Sequence, residues 1–149
     1  MDSPGLKNLG DVALAAINAA TTATVVTSAA DASGTTQAYV DRLDGMLSAL
    51  LSINFNFGGG GGTIKVTVEF TPDQGTTWIE VARVALATAS LQRVINLSAQ
   101  TPVAVYTPVA LSDDAVKDGI LTGRCRARIL KAGSDYTGNT SLSIRLDAK

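Results

Sequence analysis

Residues 63–84 read TIKVTVEFTPDQGTTWIEVARV, and their spacing decides the fold class. Ile64, Val66, Val68 and Phe70 fall on one side of an extended chain, and Lys65, Thr67, Glu69 and Thr71 on the other. Strict alternation of this kind marks a strand with one face on a core. Pro72-Asp73-Gln74-Gly75 then supplies a turn: Pro presets φ, Asp bonds its own backbone, and Gly tolerates positive φ. Residues 76–84 are again β-branched and aromatic, with Trp78 in their first half. The stretch predicts an antiparallel hairpin.

The same reading extends outward. In residues 47–57, Leu51, Ile53, Phe55 and Phe57 alternate with Ser52, Asn54 and Asn56, which predicts a strand. Five glycines follow at 58–62. A phosphate-binding loop needs Lys-Ser/Thr after its glycines and a helix behind them; here a strand follows, so the expectation is a flexible hairpin loop. Residues 91–98 alternate and predict a strand whose faces stay unassigned. Residues 100–108, QTPVAVYTP, are bracketed by Pro102 and Pro108, which suits a sheet edge or a long crossing loop. Residues 113–119, DDAVKDG, lack the spacing of a calcium-binding EF-hand loop and predict a solvated loop with a helical turn. In residues 120–130, Cys125, Ala127 and Ile129 face inward and Arg124, Arg126 and Arg128 outward. Residues 132–138 form a turn around Tyr136, and 141–147 close the chain with Leu142, Ile144 and Leu146 inward.

Nearer the start, residues 21–28 and 37–43 predict strands, with a turn at 31–34 between them. Residues 1–20 are expected to form an N-terminal arm, extended or mobile, whose second half (11–20) is a short helix capped by Asp11 or a strand. Seven or eight strands with little helix predict an all-β fold: an antiparallel β-sandwich, jelly-roll-like, as one domain over 21–149. The loop over 99–119 is long for such a domain, and loops of that length are usually functional or interfacial.

Composition narrows the function classes. The chain has 149 residues, of which only 17% are charged, against about 25% in an average domain; Thr, Ser, Ala and Gly fill the difference, as on a surface covered by partners or on a soluble monomer whose Thr and Ser face water. Net charge is −1, whereas a protein that tracks phosphates carries a basic excess. There is no His, so the usual general base and commonest metal ligand are missing. The single cysteine, Cys125, excludes an internal disulfide and a cysteine-cluster metal site. No catalytic, cofactor-binding or metal-binding residues are assigned, and no enzyme activity is expected. Residues 12–30 lack charges but are interrupted by Thr, Ser and Asn, so no membrane segment is read. The candidate interface residues are Trp78, Tyr106, Arg124, Arg126 and Arg128. The arginines either grip a carboxylate-bearing partner or pair with acids on neighbouring strands. Trp78, Tyr106 and Tyr136 are the groups on which a glycan would stack.

The runs VEFTPDQGTTWIEVARVALATAS, VINLSAQTPV, VKDGILTGRCRARI and YTGNTSLSIRL resemble small virion proteins of tailed bacteriophages. Asp73, Gly75, Thr77 and Trp78 match the family's turn, and Asp118, Gly119, Gly123, Arg124 and Arg126 its later strand; the likeness spans roughly residues 43–146. It implies a particle component; taken with the weakly charged β-rich composition, the glycine loop and the N-terminal arm, the first expectation is a capsid decoration or cement protein. The implied partners are the major capsid protein, other virion proteins and further copies of itself, with no nucleic acid or membrane partner. The implied location is the virion, after synthesis in the host cytoplasm. A neck or tail protein (tube, terminator or connector) and a carbohydrate-binding sandwich are the alternatives.

Overall fold

The computed structural model describes residues 5–20, 24–26 and 38–149, with side chains for all but 24–26. The turn expected at 31–34 and parts of the strands expected at 21–28 and 37–43 lie outside the described residues. The elements are β1 (Leu6–Ala13), α1 (Leu14–Ala19), β2 (Thr24–Val26), β3 (Ser48–Asn56), β4 (Thr63–Phe70), β5 (Ile79–Leu86), β6 (Leu91–Ser98), β7 (Ala115–Val116), β8 (Cys125–Ala132) and β9 (Ser141–Ala148). Sheet A has the order β1-β9-β3-β6 and sheet B the order β2-β8-β4-β5-β7, and every pairing is antiparallel. Setting aside the two-residue β7, the first strand lies beside the last and the second beside the next to last. With β7 again set aside, the chain changes sheet at every connection except the β4–β5 hairpin. That is the strand order of a jelly roll. No described helix is long and apolar enough to cross a membrane.

Alternation builds the interior. Leu51, Ile53 and Phe55 of β3 stand opposite Leu146, Ile144 and Leu142 of β9. They share the buried core with Ile64, Val66, Val68 and Phe70 of β4 and with Ala127 and Ile129 of β8. Each large side chain so buried stabilises the fold by about 1.5–3 kcal/mol. A register shift between Val68 and Glu69 lets Val81 and Ala82 of β5 both be buried while Glu80 and Arg83 bond each other.

Four expectations change. The N-terminal arm is instead an integral part of sheet A: β1 pairs with β9 from Leu6↔Asp147 to Ala13↔Ser141, and Leu9, Val12, Ile17 and Ala20 are in the core. The alternation of Leu9 and Val12 with polar residues was masked by a bulge between Asn8 and Gly10. In the described part of 37–43, the expected strand is reduced to one bridge, Val40↔Cys125. Residues 113–119 hold a tight turn and β7 in place of a helical turn.

The fourth change is the glycine run. β3 and β4 lie in different sheets, so residues 58–62 are a crossing, packed main chain to main chain against the turn that precedes β9. Gly61 donates to Asp135 at 2.8 Å, Thr137 donates to Gly59 at 2.9 Å, and Gly60 bridges Tyr136. A Cβ on Gly62 would lie 2.0 Å from the Ala132 carbonyl oxygen, and one on Gly60 would lie 2.6 Å from that of Asp135. The glycines are there for close approach.

Tyr136 fills the corner so formed. Its ring packs edge-on to Phe55 and Phe57, with centroids at 5.8 and 6.2 Å. Its hydroxyl shares one proton between the carbonyls of Gly62 (3.0 Å) and Ala87 (2.8 Å). Its main chain exchanges two 2.9 Å hydrogen bonds with the Asn18 side chain of α1. Tyr136 is therefore buried and presents no face to a glycan. The Gly62→Ala protein should lose about 2–3 kcal/mol of stability through backbone overpacking. Gly45→Ala, where a Cβ meets nothing but φ is +83°, should lose only about 1 kcal/mol. Chemical denaturation of both proteins measures the contrast.

Candidate functional site

The strand pairing of sheet B decides what its outer face carries. β8 lies beside β4 with Arg126 opposite Glu69 and Arg128 opposite Thr67. Glu69 is 3% exposed, and a carboxylate so buried needs compensation. It accepts from Arg126 Nε at 2.5 Å and from Arg128 Nη1 at 3.0 Å. Trp78, at the start of β5, lays its ring over Arg126, with the guanidinium 4.1 Å from the centroid. Tyr39 covers Arg124 at 5.0 Å and tilts against Trp78 at 6.1 Å. Such stacks are worth about 0.5–2 kcal/mol each, depending on desolvation. Arg124 also donates to the Gln74 carbonyl.

The turn before Trp78 is held by its own side chains. Thr71 and the Thr77 amide donate to Asp73, the Gly75 amide donates to Thr71, and the indole N–H donates to the Gly75 carbonyl at 3.1 Å. The Thr77 amide is the largest cause of the lowered Asp73 pKa. A polar groove of about 430 Å³ opens beside this turn, with Asp41, Arg42, Asp44 and Arg124 among its lining residues. Four of the five sequence candidates, Trp78, Arg124, Arg126 and Arg128, thus converge on one face. The arginines pair within the molecule, and one face of the indole is already occupied.

The fifth, Tyr106, belongs to the long connection between β6 and β7. Its ring lies under Lys117, 4.5 Å away. Acidic side chains fasten this loop at its base. Asp118 accepts from the Ser98 amide (2.7 Å), the Thr101 hydroxyl (2.6 Å) and the Gly119 amide (2.8 Å). Glu80 accepts from the Leu111 amide, Asp114 from the Ala85 amide, and Asp113 pairs with Lys65. The Thr101 hydroxyl heads the causes that lower the Asp118 pKa. Between these anchors, residues 102–110 follow an irregular path with a bend at Val105, and Val103, Val105 and Val109 are exposed, Val105 completely. No hydrogen bond to other described residues is made by their main-chain N–H or C=O groups. Of this segment only Tyr106 was among the candidate residues; its exposed valines were not, although the proline brackets pointed to a crossing loop.

Cys125 is fully buried opposite Phe70, and burial, with the Glu69 charge beside it, raises its thiol pKa. Among the described residues no group of three or more acidic or sulfur side chains is placed to hold a metal ion. No family model, no curated protein and no solved structure matches this chain.

Two predictions follow from these charges. Glu69→Ala leaves two half-buried guanidinium groups uncompensated and should cost about 2–3 kcal/mol in chemical denaturation. Arg128→Ala, which keeps the Arg126 pair, should cost less. The second concerns pH. Folding depresses the pKa values of Asp11, Asp73 and Asp118 below the ordinary 3.8, so their stabilisation is complete above that value and is lost as pH falls through the folded values. Folding raises the pKa values of Cys125 and Tyr136 above 9.0 and 10.0, so stability falls as pH rises past 9.0. With no His, the plateau between should be flat. Thermal melts against pH check this, and Cys125→Ala should soften the alkaline limb.

Proposed function

We propose that the protein is a structural subunit of a tailed-phage virion, a capsid decoration or cement protein that steadies the shell by protein–protein contact. The virion setting rests on the resemblance carried by Asp73, Gly75, Thr77, Trp78 and the residues from Asp118 to Arg126. The adhesive role rests on one observation, the loop over residues 102–110. It is neutral and apolar, it is fixed at both ends by carboxylates, and its main chain is left open. A loop so built supports contact with a neighbour; it carries no group suited to bond-making chemistry. Many copies bound by modest contacts sum through avidity, so a small jelly roll suffices to hold a shell together. The partners in this reading are the major capsid protein, other virion proteins and further copies of the chain. The chain is made in the host cytoplasm and ends in the particle. Trp78 is a brace for Arg126, which disfavours the glycan-binding alternative.

Quantitative mass spectrometry of purified particles tests the reading. The expected result is the chain in large copy number, scaling with the major capsid protein. Its absence would overturn the virion assignment, and six or twelve copies would move it to the neck or tail.

A further inference from the structure

Sheet A ends on β6, which pairs with β3 through eight residues without a register shift and has no second neighbour among the described residues. Natural proteins guard such edges with charge, proline or a bulge. At the other end of the sheet, β1 is guarded in this way, with Lys7, Asp11 and the bulge at Asn8 and Gly10. β6 has no proline and no bulge, and Arg93 is its one charge. Val94 on β6 is 57% exposed, and Leu47 and Leu50 beside it are exposed too. A groove of about 210 Å³, lined by Val84, Ile95 and Val116 together with Arg83, Arg93 and Asp114, runs between this edge and the β5–β7 edge of sheet B.

The direction of the free hydrogen-bonding groups follows from the ladder. The Ala99 amide donates to Leu47 on the β3 side. Alternate residues share a side, so Leu97, Ile95 and Arg93 face β3, and Gln92, Val94, Asn96 and Ser98 face outward. The outward Ser98 amide is already taken by Asp118, which agrees with this assignment. Gln92, Val94 and Asn96 remain open.

The same chain carries a segment with complementary needs. Residues 102–110 form no regular secondary structure and bend at Val105, and residues 99–112 contain no charge. Drawn out as a strand, this segment would lack the N–H groups of Pro102 and Pro108, both at even positions, on one side, while Val103, Val105, Thr107 and Val109 would keep all of theirs on the other. The side with the full set of donors is the one suited to join a sheet edge, and the two prolines discourage pairing on the opposite side. The segment cannot serve its own β6, because Tyr106 is held by Lys117 and Leu111 by Glu80 of β5. An edge with a single charge, Arg93, meets an uncharged segment, and eight edge residues meet nine.

We propose that residues 102–110 of one copy add as a strand to the β6 edge of a second copy, joining identical subunits head to tail in a closed ring. The inference deepens the adhesive reading above and rests on it, but not on the virion setting.

The experiment is analytical ultracentrifugation of the purified full chain over a wide concentration range, with three proline variants. The wild type is expected to form a closed oligomer that dissociates on dilution. Val105→Pro removes the central donor of the added strand, and Val94→Pro removes an outward N–H of the edge without touching the β3 ladder. Each should weaken self-association at least about tenfold, the equivalent of one or two hydrogen bonds, with an unchanged far-ultraviolet spectrum. Ala104→Pro acts on the side facing away and should leave the oligomer intact. Because each weakened variant keeps one good surface, an equimolar mixture of Val105→Pro and Val94→Pro should give a one-to-one dimer and nothing larger. A wild type that is monomeric throughout, or an oligomer unaffected by Val105→Pro and Val94→Pro, would overturn the proposal. Either result would leave incorporation into particles standing, since that is measured on the virion.

Discussion

Two stretches of main chain in van der Waals contact hold this molecule together. Where residues 58–62 cross from sheet A to sheet B, they meet the turn before β9 closely enough that a methyl group on Gly62 would overlap a carbonyl. Tyr136 reaches through that contact to Gly62 and Ala87, and its backbone is bound by Asn18. A crossing, a turn, the loop after β5 and the N-terminal helical turn are thereby tied at one point. The jelly-roll order depends on it, since the chain changes sheet there between its two longest central runs. A side chain in the glycine run would force the sheets apart at the corner where the largest buried rings sit.

With the core closed in this way, the two outer surfaces serve different ends. On the outer face of sheet B the side chains hold one another: Glu69 bonds both Arg126 and Arg128, and Trp78 and Tyr39 cover Arg126 and Arg124. Its charges are used inside the molecule and rigidify the sheet. The loop between β6 and β7 is the opposite case. Carboxylates satisfy its base, while the main chain of its apolar middle makes no hydrogen bond to other described residues. Main-chain groups left open beside such anchors are the natural place for assembly.

Much of this was legible in the sequence because alternation is a local property. β3, β4, β8 and β9 all follow from it, with Cys125 inward and the three arginines outward as read from residues 120–130. β1 was not legible, because the bulge at Asn8 and Gly10 breaks the alternation of Leu9 and Val12. The glycine run was misread as a flexible hairpin because its function is a contact with residues 132–140, which only the three-dimensional strand order brings near. Glu69 was placed on the correct face, but its role as the anion between two arginines requires knowing that β8, and not β5 alone, lies beside β4. Tyr106 was singled out for its chemistry, yet it is the valines around it that are exposed. Their significance rests on unpaired main-chain groups, which no side-chain pattern records.

The account stands on a rigid two-sheet body that leaves one apolar segment unpaired until it meets a neighbour. Amide hydrogen exchange tests this most directly, measured on dilute monomer and on assembled material. In the monomer, β4 and β8 should be the slowest to exchange and residues 103–109 should exchange at nearly free-peptide rates; on assembly that segment should become protected. Protection of residues 103–109 already present in the dilute monomer, or none gained on assembly, would contradict it.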